Sequence, residues 1–352
     1  MIHSTLQSLE NLGKQTQSIT WNDGSRLLFL PYGGRLLGLF PDRSDTNFFW
    51  VNQKLNSESQ ISEVFQENSW HNTGGERTWI APELDIFFPD YPRCQTHWEP
   101  PQLDAVDYCF EHEAQKASLS RRMEIFLARE KRAVEVFLQK EYSPALNPLR
   151  LDADFADRFS GVSYAGYTQK TLLRYEGNGT VPSLGIWNIN QLPIGGTLCV
   201  PTWYAAPPLL LFGDVPEDHL VANRNNITFQ MNLPGEHKIG IRAAASTGRM
   251  GYLYRQSEKM SLVVRNFFNN PSGDYVDVPK FSPNDLGYSI FAVNIHSDLG
   301  DFCEMEYHAP AIRAEQGESE SVDVSQIWAF HGENQQVREI AGLLLGADIP
   351  LT

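Results

Sequence analysis

The chain has 352 residues, 41% of them hydrophobic and 20% charged, enough to bury a sizeable core. Its net charge of −15 repels phosphate backbones and anionic lipid. That excludes nucleic acid and membrane surfaces as expected partners and weighs against a strongly anionic substrate.

The N-terminus, Met1-Ile2-His3-Ser4-Thr5, lacks the basic segment and apolar core of a secretion signal, so a cytoplasmic location is expected. The four cysteines, Cys94, Cys109, Cys199 and Cys303, show neither CxxC nor zinc-type spacing. They read as buried small apolar residues of a reducing compartment, with one disulfide left open. Residues 4–13 predict a short helix: Ser4 caps it, Leu6, Leu9 and Leu12 recur at helical spacing, and Gly13 ends it.

Beyond this helix the pattern is alternation. Arg26 to Leu30 and Arg35 to Phe40 predict a hairpin around Tyr32-Gly33-Gly34. Met123 to Leu127 and Val134 to Leu138 flank the charged turn Arg129 to Arg132. Val134, Val136 and Leu138 face one way, Glu135 and Gln139 the other. Ile239, Ile241 and Ala243 alternate with Lys238 and Arg242. Further strands are expected over Leu262 to Arg265, Ser289 to Ile295 and Phe302 to Tyr307. The acidic stretch Glu315 to Glu320 reads as a solvated loop, and the apolar tract Ile340 to Ile349 is too short and Gly-broken to span a bilayer. Many short strands between Gly and Pro turns predict an all-β protein, a large antiparallel β-sandwich with a short N-terminal helix. No linker or repeat divides residues 1–352, which are expected to form a single domain.

Several catalytic signatures are absent. The nearest text to GxSxG, Gly161-Val162-Ser163-Tyr164-Ala165, fails at its last position, and HExxH, the P-loop and the Rossmann fingerprint do not occur. This argues against a serine hydrolase, a zinc protease, a nucleotidase and a dehydrogenase, and no cofactor or metal is expected.

Two segments carry candidate chemistry. The first runs from His71-Asn72-Thr73-Gly74-Gly75 through Glu76-Arg77-Thr78-Trp79-Ile80-Ala81-Pro82-Glu83. If extended, it places Arg77, Trp79, Ala81 and Glu83 on one face. A cation, an indole plate and a carboxylate suit a polyhydroxylated ring. An internal Arg–Glu pair beside a core Trp is the alternative. In the second, Cys303-Glu304-Met305-Glu306-Tyr307-His308, alternation sends Cys303, Met305 and Tyr307 one way and Glu304, Glu306 and His308 the other. On a groove face these supply a general base, or ligands for a divalent cation. On a solvent face they are unremarkable. A third segment, Gly185 to Pro193 followed by Gly195-Gly196 and Val200 to Trp203, offers Trp187, Asn190, Gln191 and Trp203 as site residues or as a packed turn, the latter slightly favoured.

In their order along the chain, the Tyr32-Gly33-Gly34-Arg35 hairpin, the Gly74-Gly75-Glu76-Arg77-Thr78-Trp79-Ile80-Ala81-Pro82-Glu83 run and the Glu304-Met305-Glu306 strand resemble the galactose mutarotase-like (aldose 1-epimerase) superfamily, in particular an uncharacterised bacterial group with a Gly-Gly-x-Arg-x-Trp-x-Ala-Pro-Glu signature. The resemblance implies a supersandwich with a carbohydrate groove across one sheet. It implies a small-molecule sugar as partner and, for an enzyme, acid–base isomerisation of an aldose. Glu306 then stands where the late catalytic carboxylate is expected, with Glu304 as its rival. His71 or His308 would be the acid, because the histidine motif that mutarotases carry near mid-chain is missing here. Arg77, Trp79, Glu83, Glu304 and Trp203 would bind substrate. A non-catalytic sugar-binding or sensing protein, and a lyase or hydrolase of uronic-acid glycans, are the alternatives on the same fold. The oligomeric state is left open.

Overall fold

The structure, a computed structural model, describes residues 2–67, 69–152, 154–277 and 285–346. Met1 and the last residues of the apolar tract, 347–349, lie outside the described residues. In chain order the strands are β1 (Gln17–Thr20), β2 (Arg26–Leu30), β3 (Arg35–Phe40), β4 (Glu76–Ala81), β5 (Cys109–Glu113), β6 (Lys116–Leu127), β7 (Arg132–Pro144), β8 (Ser163–Tyr175), β9 (Gly185–Pro193), β10 (Gly196–Pro201), β11 (Leu209–Phe212), β12 (Leu220–Ala222), β13 (Asn226–Met231), β14 (Gly235–Arg242), β15 (Arg249–Gln256), β16 (Lys259–Phe267), β17 (Tyr288–Ser297), β18 (Gly300–His308) and β19 (Glu320–Gly332). The α-helices are α1 (Ile2–Asn11), α2 (Ile61–Val64), α3 (Glu83–Ile86), α4 (Pro101–Asp104), α5 (Phe155–Arg158) and α6 (Asn334–Leu345).

The strands form two antiparallel sheets. One is ordered β1-β2-β3-β4-β9-β18-β17-β14-β11, the other β12-β13-β10-β15-β16-β19-β8-β7-β6-β5. The expected sandwich and the β2–β3 hairpin are both present. Alternation works as expected on β7, where Val134, Val136 and Leu138 are buried and Glu135 is exposed. One expectation fails. Cys109 is exposed on the edge strand β5, whereas Cys94, Cys199 and Cys303 are buried. The apolar tract starting at Ile340 belongs to α6, which buries Val337, Ile340, Ala341, Leu344 and Leu345 against Leu253, Leu262, Val264 and Phe330 on the outside of the second sheet. Its hydrophobic residues serve one helical face. Among the described residues no helix is long and apolar enough to cross a membrane.

The space between the sheets is mainly hydrophobic, with a polar seam through it. Glu76 of β4 accepts hydrogen bonds from Tyr142 (2.6 Å), Gln169 (3.1 Å) and Lys140 (3.5 Å) of the opposite sheet. Arg265 donates to Asn190 (2.7 Å) and Gln169 (2.8 Å), and Asn188 donates to Tyr307 (2.7 Å), whose hydroxyl bonds Asp323. All these side chains are buried. Burial depresses the Lys140 ammonium to about 8 although Glu76 pulls it upward. Interlocking groups of this kind are costly to break singly, because each partner left behind is an unpaired buried donor or charge.

Glu76→Ala should therefore cost about 3–5 kcal/mol of stability, the range for breaking one side of a buried pair. Urea unfolding of the variant beside the wild type measures it; a loss below about 1 kcal/mol would show that the seam relaxes.

Candidate functional site

On the first sheet, the face turned away from the core bears a cavity of about 1090 Å³. Its floor follows from register. Across β4, β9, β18, β17 and β14, outward side chains fall into rows spaced two residues, or roughly 7 Å, apart. One row is Trp79, Trp187 and His308. The next is Arg77, Ile189, Glu306 and Phe291. Then come Gln191, Glu304, Val293 and Lys238, and finally Phe302, Ile295 and Glu236. The chain reaches this face through Gly74 and Gly75, whose φ values are +97° and +78°. A Cβ on Gly75 would stand 2.3 Å from the Leu36 carbonyl oxygen, so the approach of β4 to β3 requires glycine.

Of the residues expected in a groove, Arg77, Trp79, Glu83, Glu304 and Glu306 all border this cavity. Arg77 pairs with Glu304, 227 positions away, at 2.9 Å, and not with Glu83. Its guanidinium lies 4.1 Å from the Trp79 ring centre and 5.1 Å from that of Trp70. Gln191 donates a second hydrogen bond to Glu304 at 2.9 Å. Glu83 arrives on α3 and not on an extended strand, its backbone N–H bonded to Asp277 at 2.8 Å.

The other expected residues lie elsewhere. His71 is engaged at both ring nitrogens, by the Tyr32 hydroxyl (2.9 Å) and the Gln66 carbonyl (3.0 Å), and does not border the cavity. His308, at the end of the Trp79–Trp187 row, is buried and does not border the cavity, its ring stacked on Trp187 at 5.2 Å and 3.8 Å from Asp277. Burial, assisted by the Lys238 charge, holds its pKa well below the ordinary histidine value. Trp203 sits after β10, 74% exposed and away from the cavity. Asn190 points into the inter-sheet seam, while Trp187 and Gln191 sit on a central strand and not in a packed turn.

Sequence reading missed two residues. Lys238 reaches Glu306 at 3.3 Å and Glu83 at 3.4 Å, and its ammonium lies 4.8 Å from the Trp187 ring centre. Burial works against that charge, but Glu306 and Glu83 raise its pKa above the usual value. A lone lysine opposite Ile239 and Ile241 was the available signal. His97, at the rim, lies 3.3 Å from Glu99 and 3.9 Å from Glu83. Burial lowers its pKa, the two carboxylates more than offset this, and the net shift is upward. It stands in a loop without periodicity, so nothing in the sequence marked it.

The two β18 carboxyl groups are differentiated. For Glu304, burial opposes ionisation, but Arg77 overcomes it and the pKa falls below the usual range. For Glu306, burial is the largest effect and pushes the pKa up to about 8 against the pull of Lys238, with Glu304 adding to the rise. The two lie side by side on one strand face and their pKa values move in opposite directions, downward for Glu304 and upward for Glu306. Trp187 also donates to Glu306, at 3.1 Å. Among the described residues no group of three or more His, Cys, Asp or Glu side chains is placed to hold a metal ion.

A carboxyl whose pKa is higher folded than unfolded binds more protons in the native state, so stability is lost as pH rises between the two values. The window here runs from the ordinary 4.5 to about 8 for Glu306, and Asp277, raised by burial to about 7, acts the same way. The melting temperature should fall across this window, and Glu306→Gln should flatten the fall; thermal unfolding at half-unit pH intervals reads both. An identical slope in the variant would mean that Glu306 titrates normally.

No curated protein matches the sequence. Solved structures that are similar to it include a galactose mutarotase related enzyme from Lactobacillus acidophilus (9% identity, TM-score 0.47, covering 90% of this chain and 98% of that one). Others are a galactose 1-epimerase from Lactobacillus acidophilus NCFM (10% identity, TM-score 0.41, 91% and 100%) and an aldose epimerase homologue from C. elegans (10% identity, TM-score 0.41, 91% and 100%). The model of a family of unknown function, DUF6786, matches residues 7–351, and the chain belongs to that family.

Proposed function

We propose that the cavity holds the ring of an aldose or aldose derivative and that Glu304 and Glu306 exchange protons with it, interconverting its anomers. The observation that carries this is the β18 carboxyl pair, Glu304 against Arg77 and Glu306 against Lys238, with opposite pKa shifts, on the floor of a cavity walled by Trp70, Trp79 and Trp187. Indole faces stack on the apolar face of a pyranose, while the carboxylates and the rim pair His97–Glu99 match its hydroxyls.

The chemistry follows from the protonation states. The ring oxygen and the anomeric hydroxyl are bonded to the same carbon, so two adjacent carboxyl groups reach both. Glu304 takes the hydroxyl proton as Glu306 delivers its proton to the ring oxygen. The carbon–oxygen ring bond breaks, leaving an open-chain aldehyde, and reclosure on the other face reverses the transfers. The pair thus serves as acid and base without either of the histidines expected from sequence: Arg77 favours the ionised Glu304, and burial favours the protonated Glu306 against the pull of Lys238.

A second reading, a sugar-binding or sensing protein without turnover, is favoured by one observation: both carboxyl groups already have cationic neighbours within the protein. A uronic-acid lyase is less well served, since it needs a cation for the substrate carboxylate and both Arg77 and Lys238 are paired.

Anomer exchange measured by NMR on a panel of aldoses separates these. Glu306→Gln should lower the exchange rate by about 10²–10⁴-fold, the usual contribution of a positioned acid or base, with sugar affinity little changed. Sugar binding with no exchange in the wild type would establish the sensor reading instead.

A further inference from the structure

From the rows of the cavity floor we infer that the ligand is a glycoside with an apolar aglycone, its sugar ring over the ionic rows and its apolar group over the end of β17 and β18. This rests on the sugar-binding reading above, in its form without turnover, and names the ligand class; a glycoside is not itself a substrate of anomer exchange. The rows change character in one direction. Arg77–Glu306 and Glu304–Lys238 form the ionic centre, and one step along the strands lie Phe302 and Ile295. Val293 and Trp70 border the same end, and Leu299, 48% exposed in the β17–β18 turn, closes it. Glu236, the charged member of the last row, has its carboxylate bonded to Ser297 at 2.8 Å in that turn.

Aliphatic side chains offer nothing to ring hydroxyls. A polyhydroxylated group over Val293, Ile295 and Leu299 would lose its water without gaining partners. An alkyl or aryl group there would gain roughly 25 cal/mol per Å² of apolar area removed from water. Size agrees: the cavity of about 1090 Å³ lies just above the ~300–1,000 Å³ range of small-molecule sites, more than one pyranose fills. With rows roughly 7 Å apart, the apolar end begins about one ring length from the carboxyl pair. A glycoside has no free anomeric hydroxyl, so such a ligand is bound without opening, or is the product or precursor of a step that makes or breaks the glycosidic bond.

Calorimetric titration of the full-length protein tests this, with methyl and octyl glycosides of glucose, galactose and mannose below their micellar concentrations and 1-octanol as control. For at least one sugar the octyl glycoside should bind at least tenfold tighter than the methyl one. Leu299→Asp, at an exposed turn, and the near-isosteric Val293→Thr should each bring that ratio toward one. Equal affinity of octyl and methyl glycosides overturns the inference and leaves the sugar site standing, as does an octyl gain that survives both substitutions. Octanol binding as tightly as octyl glycoside, or no glycoside binding at all, overturns the sugar reading together with this one.

Discussion

The ammonium of Lys238 is the charge on which the cavity depends. It is buried but borders the cavity, and lies close to the Trp187 and Phe291 rings. A lone ammonium there would be driven to neutrality by desolvation. Glu83 and Glu306 reverse that outcome, and each comes from a different part of the chain. One cation therefore ties α3, β14 and β18 together. A buried pair of this kind is weak evidence for stability but strong evidence for a specified geometry, because any displacement leaves a charge unpaired.

Arg77 does the complementary work on Glu304. Its charge is delocalised and fits between two indoles, where a lysine would not. The result is two carboxyl groups of identical chemistry, two residues apart, with opposite protonation tendencies. Different environments for like groups are how a site acquires both an acid and a base at one pH. Here both are buried and both meet a cation; Arg77 outweighs burial at Glu304, whereas Lys238 does not at Glu306.

Much of this was legible in the sequence where period-two alternation applied. Cys303, Met305 and Tyr307 do enter the core, while Glu304 and Glu306 face the cavity, and the Gly74-Gly75 run does lead Arg77 and Trp79 to the same place. What alternation could not supply was partner choice. Glu83 shares a sequence motif with Arg77, yet the arginine bonds a residue on a strand 227 positions later. His71 and His308 had the right chemistry and the wrong surroundings, one tied at both nitrogens and the other held under Trp187. His97 was invisible because its loop has no period. Trp203 shows the converse, an aromatic whose neighbourhood in sequence said nothing of its distance from the cavity.

The polar seam between the sheets has a thermodynamic consequence. Unfolding a sandwich of this size ordinarily raises the heat capacity steeply, because hydrating apolar surface adds to it. Hydrating polar surface subtracts from it. Glu76, Lys140, Gln169, Arg265, Asn188 and Asn190 are all withdrawn from water in the folded state and returned to it on unfolding. The increment per residue is correspondingly smaller than for an all-hydrocarbon core, and the curve of stability against temperature is flatter. The seam that locks the two sheets in register thereby also widens the range of temperature over which they stay together.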